Sequence, residues 1–340
     1  VNESSKRGWA QVGKWLPGVI ISGAALYALF RIVKWQDLVA AVRSAKPGFI
    51  LAIVFLAIIS LVVRGKAWQT ILGKPVTWTQ AFFGVCEGYF LNDILPFKVG
   101  EFGRSIYVGK ISGLGTFRAF SSVVIERAFD LAIAASLVLV TLPLVIGTTW
   151  IKPVAIIALI VVIACLVGLF FVARHQQPVI QWLNRVTEKR DFVKQKIVPQ
   201  LEKLIQGFGM LTKPSRFFLS LFWIAATWVV WIATYYLGVV QIAPGAPLWW
   251  GIFVCSIIAL GVALPSAPAG VGVFEASMVA ALSLLGVNSS SALAYAIILH
   301  FSQVIIAVIL GVWGLMREKQ SLTSLVSSVP LKTNNTITQD

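Results

Sequence analysis

Charged side chains stand where this sequence is otherwise apolar enough for a membrane: Glu87, Asp93, Lys98, Glu101, Arg104, Glu126, Arg127, Asp130 and Glu275. In hydrocarbon each charge costs at least roughly 2.5 kcal/mol, so such groups persist beside partners, water or substrate and mark a functional site. Glu101 and Arg104 are three residues apart, as are Arg127 and Asp130, so each pair can share a helix face and neutralise itself. Glu126 and Asp130 are four apart and of like sign, an arrangement that needs a cation from elsewhere, for which Arg104 is the candidate. On a helix starting at 119, Asp130 lies roughly 17 Å in, about halfway through the hydrocarbon. Buried ion pairs add little stability over apolar packing, so so many charges point to a polar cavity rather than to structure alone.

These charges are densest in Asn92–Arg104, where Pro96 and Gly100 interrupt the apolar run 78–112. A second apolar run, 248–286, is interrupted by Pro265, Pro268, Gly270 and Gly272 and followed by Glu275. Proline removes a helix hydrogen bond and glycine loosens the backbone, so each run reads as two short helices around a break, a re-entrant hairpin. Apolar runs long enough to span occur near 16–33, 48–63, 119–146, 153–172, 216–240 and 289–316. Trp15, Trp35, Trp150, Trp182, Trp249 and Trp313 flank them as an interfacial belt would.

The expected fold is therefore all-α: a polytopic helical membrane protein with about six full spans and two re-entrant hairpins. The order span, hairpin, span covers 48–146 and recurs with nearly equal length over 216–316, the Leu-Pro falling at almost the same offset. This predicts an inverted repeat. Lys and Arg crowd the start of the chain, the 173–215 segment and the end of the last span, which places both termini on the cytoplasmic side of the cell membrane. Arg31, Lys34, Arg43 and Lys46 run against that orientation in the 31–47 segment. The first run, lacking a small-residue cleavage site, reads as a retained helix rather than a signal peptide. Segment 173–215 has helical apolar spacing and reads as an amphipathic helix on the membrane surface, the alternative being a helical hairpin packed on the spans, with Pro199 splitting it. The polar tail, 320–340, is expected to be disordered.

The 340 residues are 58% hydrophobic and 12% charged, with mean hydropathy +0.86, far from the composition of a soluble domain. The net charge of +15 comes with no nucleic-acid motif, so anionic lipid headgroups are the expected counter-charge and partner. Three cysteines within apolar runs provide neither a disulfide framework nor metal spacing, and no cofactor is expected. Of the two histidines, His175 reads as solvated and His300, near Gln303, as a hydrogen-bonded core residue.

Three motifs in order, N-x-x-L-P-x-x-x-G-E-x-x-R from Asn92 to Arg104, E-R-x-x-D from Glu126 to Asp130, and P-x-x-P-x-G-x-G-x-x-E from Pro265 to Glu275, resemble the lysylphosphatidylglycerol synthase transmembrane region. The resemblance covers roughly 14–318 and implies a flippase-like membrane domain that translocates lipids. Bifunctional members carry a soluble aminoacyltransferase domain after this region, where this sequence has a short tail, so lysyl transfer is not expected. The expected cargo is a phosphate-bearing lipid, either a phospholipid or a polyprenyl-linked one. Asn92, Lys98, Glu101, Arg104, Glu126, Arg127, Asp130 and Glu275 are the candidate binding residues. Lys98, Arg104 and Arg127 would receive the phosphate, arginine being suited to it by its planar fork. Helix N-termini near Gly100 and Gly270 would add positive potential. Glu101 and Glu275 would alternate between arginine and a proton. The rival expectation is a membrane-embedded enzyme acting on a lipid phosphate or lipid-linked sugar, although no nucleophile triad, metal cluster or phosphate loop can be assembled.

Overall fold

A computed structural model describes residues 23–29, 35–43, 45–95, 98–146, 151–187, 197–264 and 266–317, with residues 20, 31 and 195 in isolation. Pro96, Pro265, the 320–340 tail and much of the 16–33 run lie outside the described residues. The described residues are helical, without strands. In chain order the helices are α1 (Trp35–Arg43), α2 (Pro47–Leu72), α3 (Trp78–Ile94), α4 (Val99–Ile111), α5 (Thr116–Ile146) and α6 (Ile151–Arg174). They continue with α7 (Gln176–Val186), α8 (Val198–Gly207), α9 (Pro214–Ile242), α10 (Leu248–Gly261), α11 (Val273–Leu284) and α12 (Ser289–Arg317).

Helices long and apolar enough to cross a membrane, among the described residues, are Pro47–Leu72, Thr116–Val145, Pro214–Ile242 and Ser289–Arg317. Two of them, α2 and α9, begin with proline in the first turn, where a missing N–H costs nothing. Helix α2 does not stop at residue 63 but runs on to Leu72 past Arg64 and Lys66. A charge does not end a helix whose neighbours neutralise it, as those of Arg64 do. Helix α6, 24 residues long, occupies the 153–172 run.

Each broken run is a pair of short helices, α3 with α4 and α10 with α11, of 17, 13, 14 and 12 residues. Only α3 reaches the lower end of the roughly 17–25 residues that a full crossing takes. A capping box starts α3: the Thr77 hydroxyl accepts from the Gln80 backbone N–H, and the Gln80 side chain accepts from the Thr77 N–H at 2.9 Å. At the far end of α3 the chain turns back on itself through an unusually close approach. A Cβ at Gly100 would land on the Gly88 carbonyl oxygen and the Asn92 side chain, so only glycine lets α4 lie this near α3.

The two broken pairs are woven into each other's spans. Helix α2 packs on α9; α3 packs on α12 while α10 packs on α5. Within each block, α4 packs on α5 and α11 on α12. The 3-10 turn at the second break, Pro268–Gly270, reaches α3 of the first block.

Within 173–215 the described residues include α7, α8 and a 3-10 turn, Phe208–Thr212. Pro199 sits in the first turn of α8, consistent with a split in the segment. Helix α8 packs on α5, and Ile205, Phe208, Met210 and Leu211 are buried in protein. Asn184 donates to Glu202 at 3.0 Å, tying α7 to α8. Among the described residues α8 and the 3-10 turn pack on the spans, while Trp182 and Val186 of α7 are exposed, so protein covers part of the apolar face that the surface-helix reading gave to lipid. Periodicity marks an apolar face but not what covers it.

A candidate lipid-headgroup cavity between the two breaks

Arg64, Arg104 and Arg127 meet Glu101, Glu126 and Asp130 in one network contributed by α2, α4 and α5. Arg64, with 1% of its surface exposed, donates to Glu126 at 2.5 Å and through both terminal nitrogens to the two oxygens of Asp130. Arg104 donates to Glu126 at 2.9 and 3.4 Å and lies over the Trp68 ring, 4.6 Å from its centroid. Arg127 donates to Glu126 at 2.9 Å and stands 3.2 Å from Glu101 and 3.4 Å from Asp130. Trp228 of α9 completes the shell of Asp130 at 3.2 Å. Three guanidinium groups against three carboxylates leave the network neutral, which is what permits it inside an apolar bundle.

This network forms one wall of a cavity of about 510 Å³. Asn92, Asp93, Lys98 and Glu101 line it from the first break, Ser266, Ala269 and Gly270 from the second, and Arg127 and Asp130 from α5. Aliphatic and aromatic side chains such as Leu131, Trp231 and Val304 complete it. The three sequence motifs therefore meet around a single space. Lys98 has no carboxylate within ion-pair distance among the described residues, and neither Lys98 nor Asp93 is paired with the other.

The backbone is strained at both breaks. Lys98 (φ 52°) and Ala269 (φ 57°) are the non-glycine residues with positive φ among the described residues, and both line the cavity. Left-handed backbone in such residues costs of order 1–3 kcal/mol and clusters at ligand sites. The first break is held by Asn92, whose side-chain oxygen accepts the Gly100 N–H at 2.8 Å. The second is held by Glu275, which accepts the Gly272 N–H at 2.7 Å, and by His300, whose Nε2 lies 2.9 Å from the Ala269 carbonyl.

Several candidate residues sit differently from their sequence-based roles. Arg104 does not line the cavity; it is buried behind Glu126. Glu101 pairs with Arg127 rather than with Arg104, since α4 and α5 bring them together more closely than the helix turn does. Glu275 meets no arginine among the described residues; its partner is His300 Nδ1, at 2.6 Å. Pro268 lies in the 3-10 turn, Gly270 in the cavity wall and Gly272 at the start of α11. His175 is exposed and stacks on Phe171. Arg64 is the member that sequence reasoning missed, because it follows the apolar run by one residue and looks like its end. The sequence signal for it was the unbalanced pair Glu126 and Asp130, which asked for a cation and received this one.

Comparison with known proteins agrees with this architecture. The family described as lysylphosphatidylglycerol synthase TM region matches residues 15–311. The chain is also similar to a UPF0104 membrane protein of Methanocaldococcus jannaschii, 28% identical over 120 residues. That match covers 34% of this chain and 36% of the relative.

Proposed function

Since the chain belongs to the lysylphosphatidylglycerol synthase TM region family, we propose that it is a lipid transporter that takes a phosphate-bearing headgroup into the cavity between its two breaks and moves it across the cell membrane. The observation that carries this reading is Lys98, without a carboxylate partner among the described residues, beside Arg127 in a cavity of about 510 Å³, the size range of small-ligand sites. Arg64 and Arg104 are committed to buried carboxylates. Arg127 keeps a 2.9 Å bond to Glu126, but its contacts to Glu101 and Asp130 are longer, 3.2 and 3.4 Å, and its side chain is 30% exposed. A phosphate bonded to Lys98 can draw the Arg127 fork from Glu101 at little net cost, because one anion replaces another. The apolar part of the lining suits the first carbons of the lipid tails.

Alternating access would come from an inverted repeat, 48–146 against 216–316, with each broken pair re-entrant. The packing supports that reading. Exchanging α2 with α9, α3 with α10, α4 with α11 and α5 with α12 turns each principal contact into another: α3–α12 becomes α10–α5, and α2–α9 becomes itself. Both termini would be cytoplasmic, and rocking of one block against the other would open the cavity to each side in turn.

The test is retention of lipid by the purified full-length chain, read by native mass spectrometry. Wild type is expected to hold phospholipid, and Lys98→Ala to hold at least tenfold less while remaining folded. Equal lipid occupancy in the two would refute the headgroup site.

A further inference from the structure

The two breaks carry matching ion pairs that differ in one chemical respect. Glu101 is the third residue of α4 and Glu275 the third residue of α11. Their partners, Arg127 on α5 and His300 on α12, stand equally far from their helix starts, Thr116 and Ser289. One block thus pairs its glutamate with a permanent cation. The other pairs it with a histidine, whose charge depends on a bound proton.

The bonds of His300 fix where a proton must be. Its Nε2 faces the Ala269 carbonyl at 2.9 Å, which only accepts, so Nε2 donates. Its Nδ1 faces Glu275 Oε1 at 2.6 Å, and Glu275 Oε2 already accepts the Gly272 N–H. A neutral imidazole has one N–H and cannot donate to both acceptors. The pair therefore holds one proton more than a neutral histidine and a carboxylate, lodged between Nδ1 and Oε1. When it leaves, histidinium and carboxylate become imidazole, carboxylate and a free proton, and no other bond changes. One of the two contacts of His300 then has no hydrogen, so the tie between α12 and the second break is lost at Ala269 or at Glu275.

We propose that transport is proton-coupled, with Glu275–His300 as the proton-binding site that latches the second break and the cavity as the proton's route. The inference rests on the lipid-transport reading. His300 lines the cavity, so a proton leaving the pair enters the space the headgroup occupies. Helices α1, α2, α3, α9 and α11 pack on α12. The titratable groups they place near His300 are Tyr89 and Asp93 of α3, Tyr235 of α9 and Glu275 itself; α1 and α2 place none in the cavity among the described residues. Lys98, Glu101, Arg127 and Asp130 line other walls of the cavity, and Cys255 of α10 lines it as well. A phosphate arriving at Lys98 brings negative charge toward the pair and favours its protonated form, so cargo and proton bind together.

The experiment uses the full-length chain in phosphatidylcholine vesicles with a trace of fluorescent phosphatidylglycerol and a tenfold proton gradient. Wild type is expected to accumulate the labelled lipid in one leaflet, up to about tenfold for one proton per lipid. His300→Gln and Glu275→Gln are expected to lose this accumulation. Equal leaflet distributions in wild type, with flipping intact, would overturn proton coupling and leave the lipid reading standing. Absence of any flipping would overturn the lipid reading, and proton coupling of lipid transport with it. The proton site itself is judged separately by nitrogen NMR of the labelled histidines in detergent, with His300 assigned through His300→Gln. Its ring nitrogens should follow a one-proton transition that Glu275→Gln displaces. Nitrogens that stay constant from pH 5 to 9, or that follow the same curve in Glu275→Gln, would overturn the site.

Discussion

Replacing Arg64 with methionine keeps the length of the side chain and removes its charge from the most buried part of the molecule. Arg64 serves both Glu126 and Asp130, so the change takes the network from neutral to one uncompensated negative charge. Glu126 keeps Arg104 and Arg127 at 2.9 Å. Asp130 keeps only Trp228 at 3.2 Å and Arg127 at 3.4 Å, both longer than the bonds it loses. Stranding one partner of a buried pair costs about 3–5 kcal/mol. For a chain of this size that corresponds to a loss of about 4–7 °C in melting temperature. The double variant Arg64→Met with Asp130→Leu is neutral again and should recover a coupling of about 1–3 kcal/mol. Thermal unfolding of detergent-purified protein, followed by the fraction remaining monodisperse, reads all three. An Arg64→Met protein that melts with wild type, or a double variant whose losses simply add, would refute the account of Arg64 as the cation that Glu126 and Asp130 require.

Gly100→Ala should cost roughly 1–3 kcal/mol, since the new methyl meets the Gly88 carbonyl and α4 must back away from α3; the same melting assay checks it. Asn92→Ala removes the acceptor of the Gly100 N–H and should cost about 1 kcal/mol. Lys98→Gly is expected to raise stability by about 1 kcal/mol by relieving a positive φ, while lipid retention falls at least tenfold. A Lys98→Gly protein that is less stable contradicts the first half of that expectation, and one equally loaded with lipid contradicts the second.

Much of the architecture was legible because it follows from hydrophobic run length, which the bilayer fixes. The breaks were legible because proline and glycine announce them locally. Partners across the bundle were not, since Glu101 has Arg104 three residues away in sequence yet meets Arg127 of another helix. Arg64 was missed for the same reason: position in the chain gave it to the end of a span, and only the packing of α2 on α9 and α5 turns it inward. His300 looked like a satisfied core residue, and it is fully hydrogen-bonded. Its significance lies in both acceptors facing one imidazole, which no spacing of residues reveals. The 173–215 segment shows the same limit, because an apolar helix face reads alike whether lipid or protein covers it.

The central claim is that a phosphate-bearing lipid crosses through the cavity between the two breaks. Vesicles holding the full-length chain and a trace of fluorescent phospholipid, treated outside with an impermeant quencher, test it most directly. The account predicts that wild type exposes the inner-leaflet label as well as the outer, and that Lys98→Ala slows this at least tenfold. Inner-leaflet label that stays protected in wild-type vesicles, or is exposed equally fast with Lys98→Ala, would contradict it.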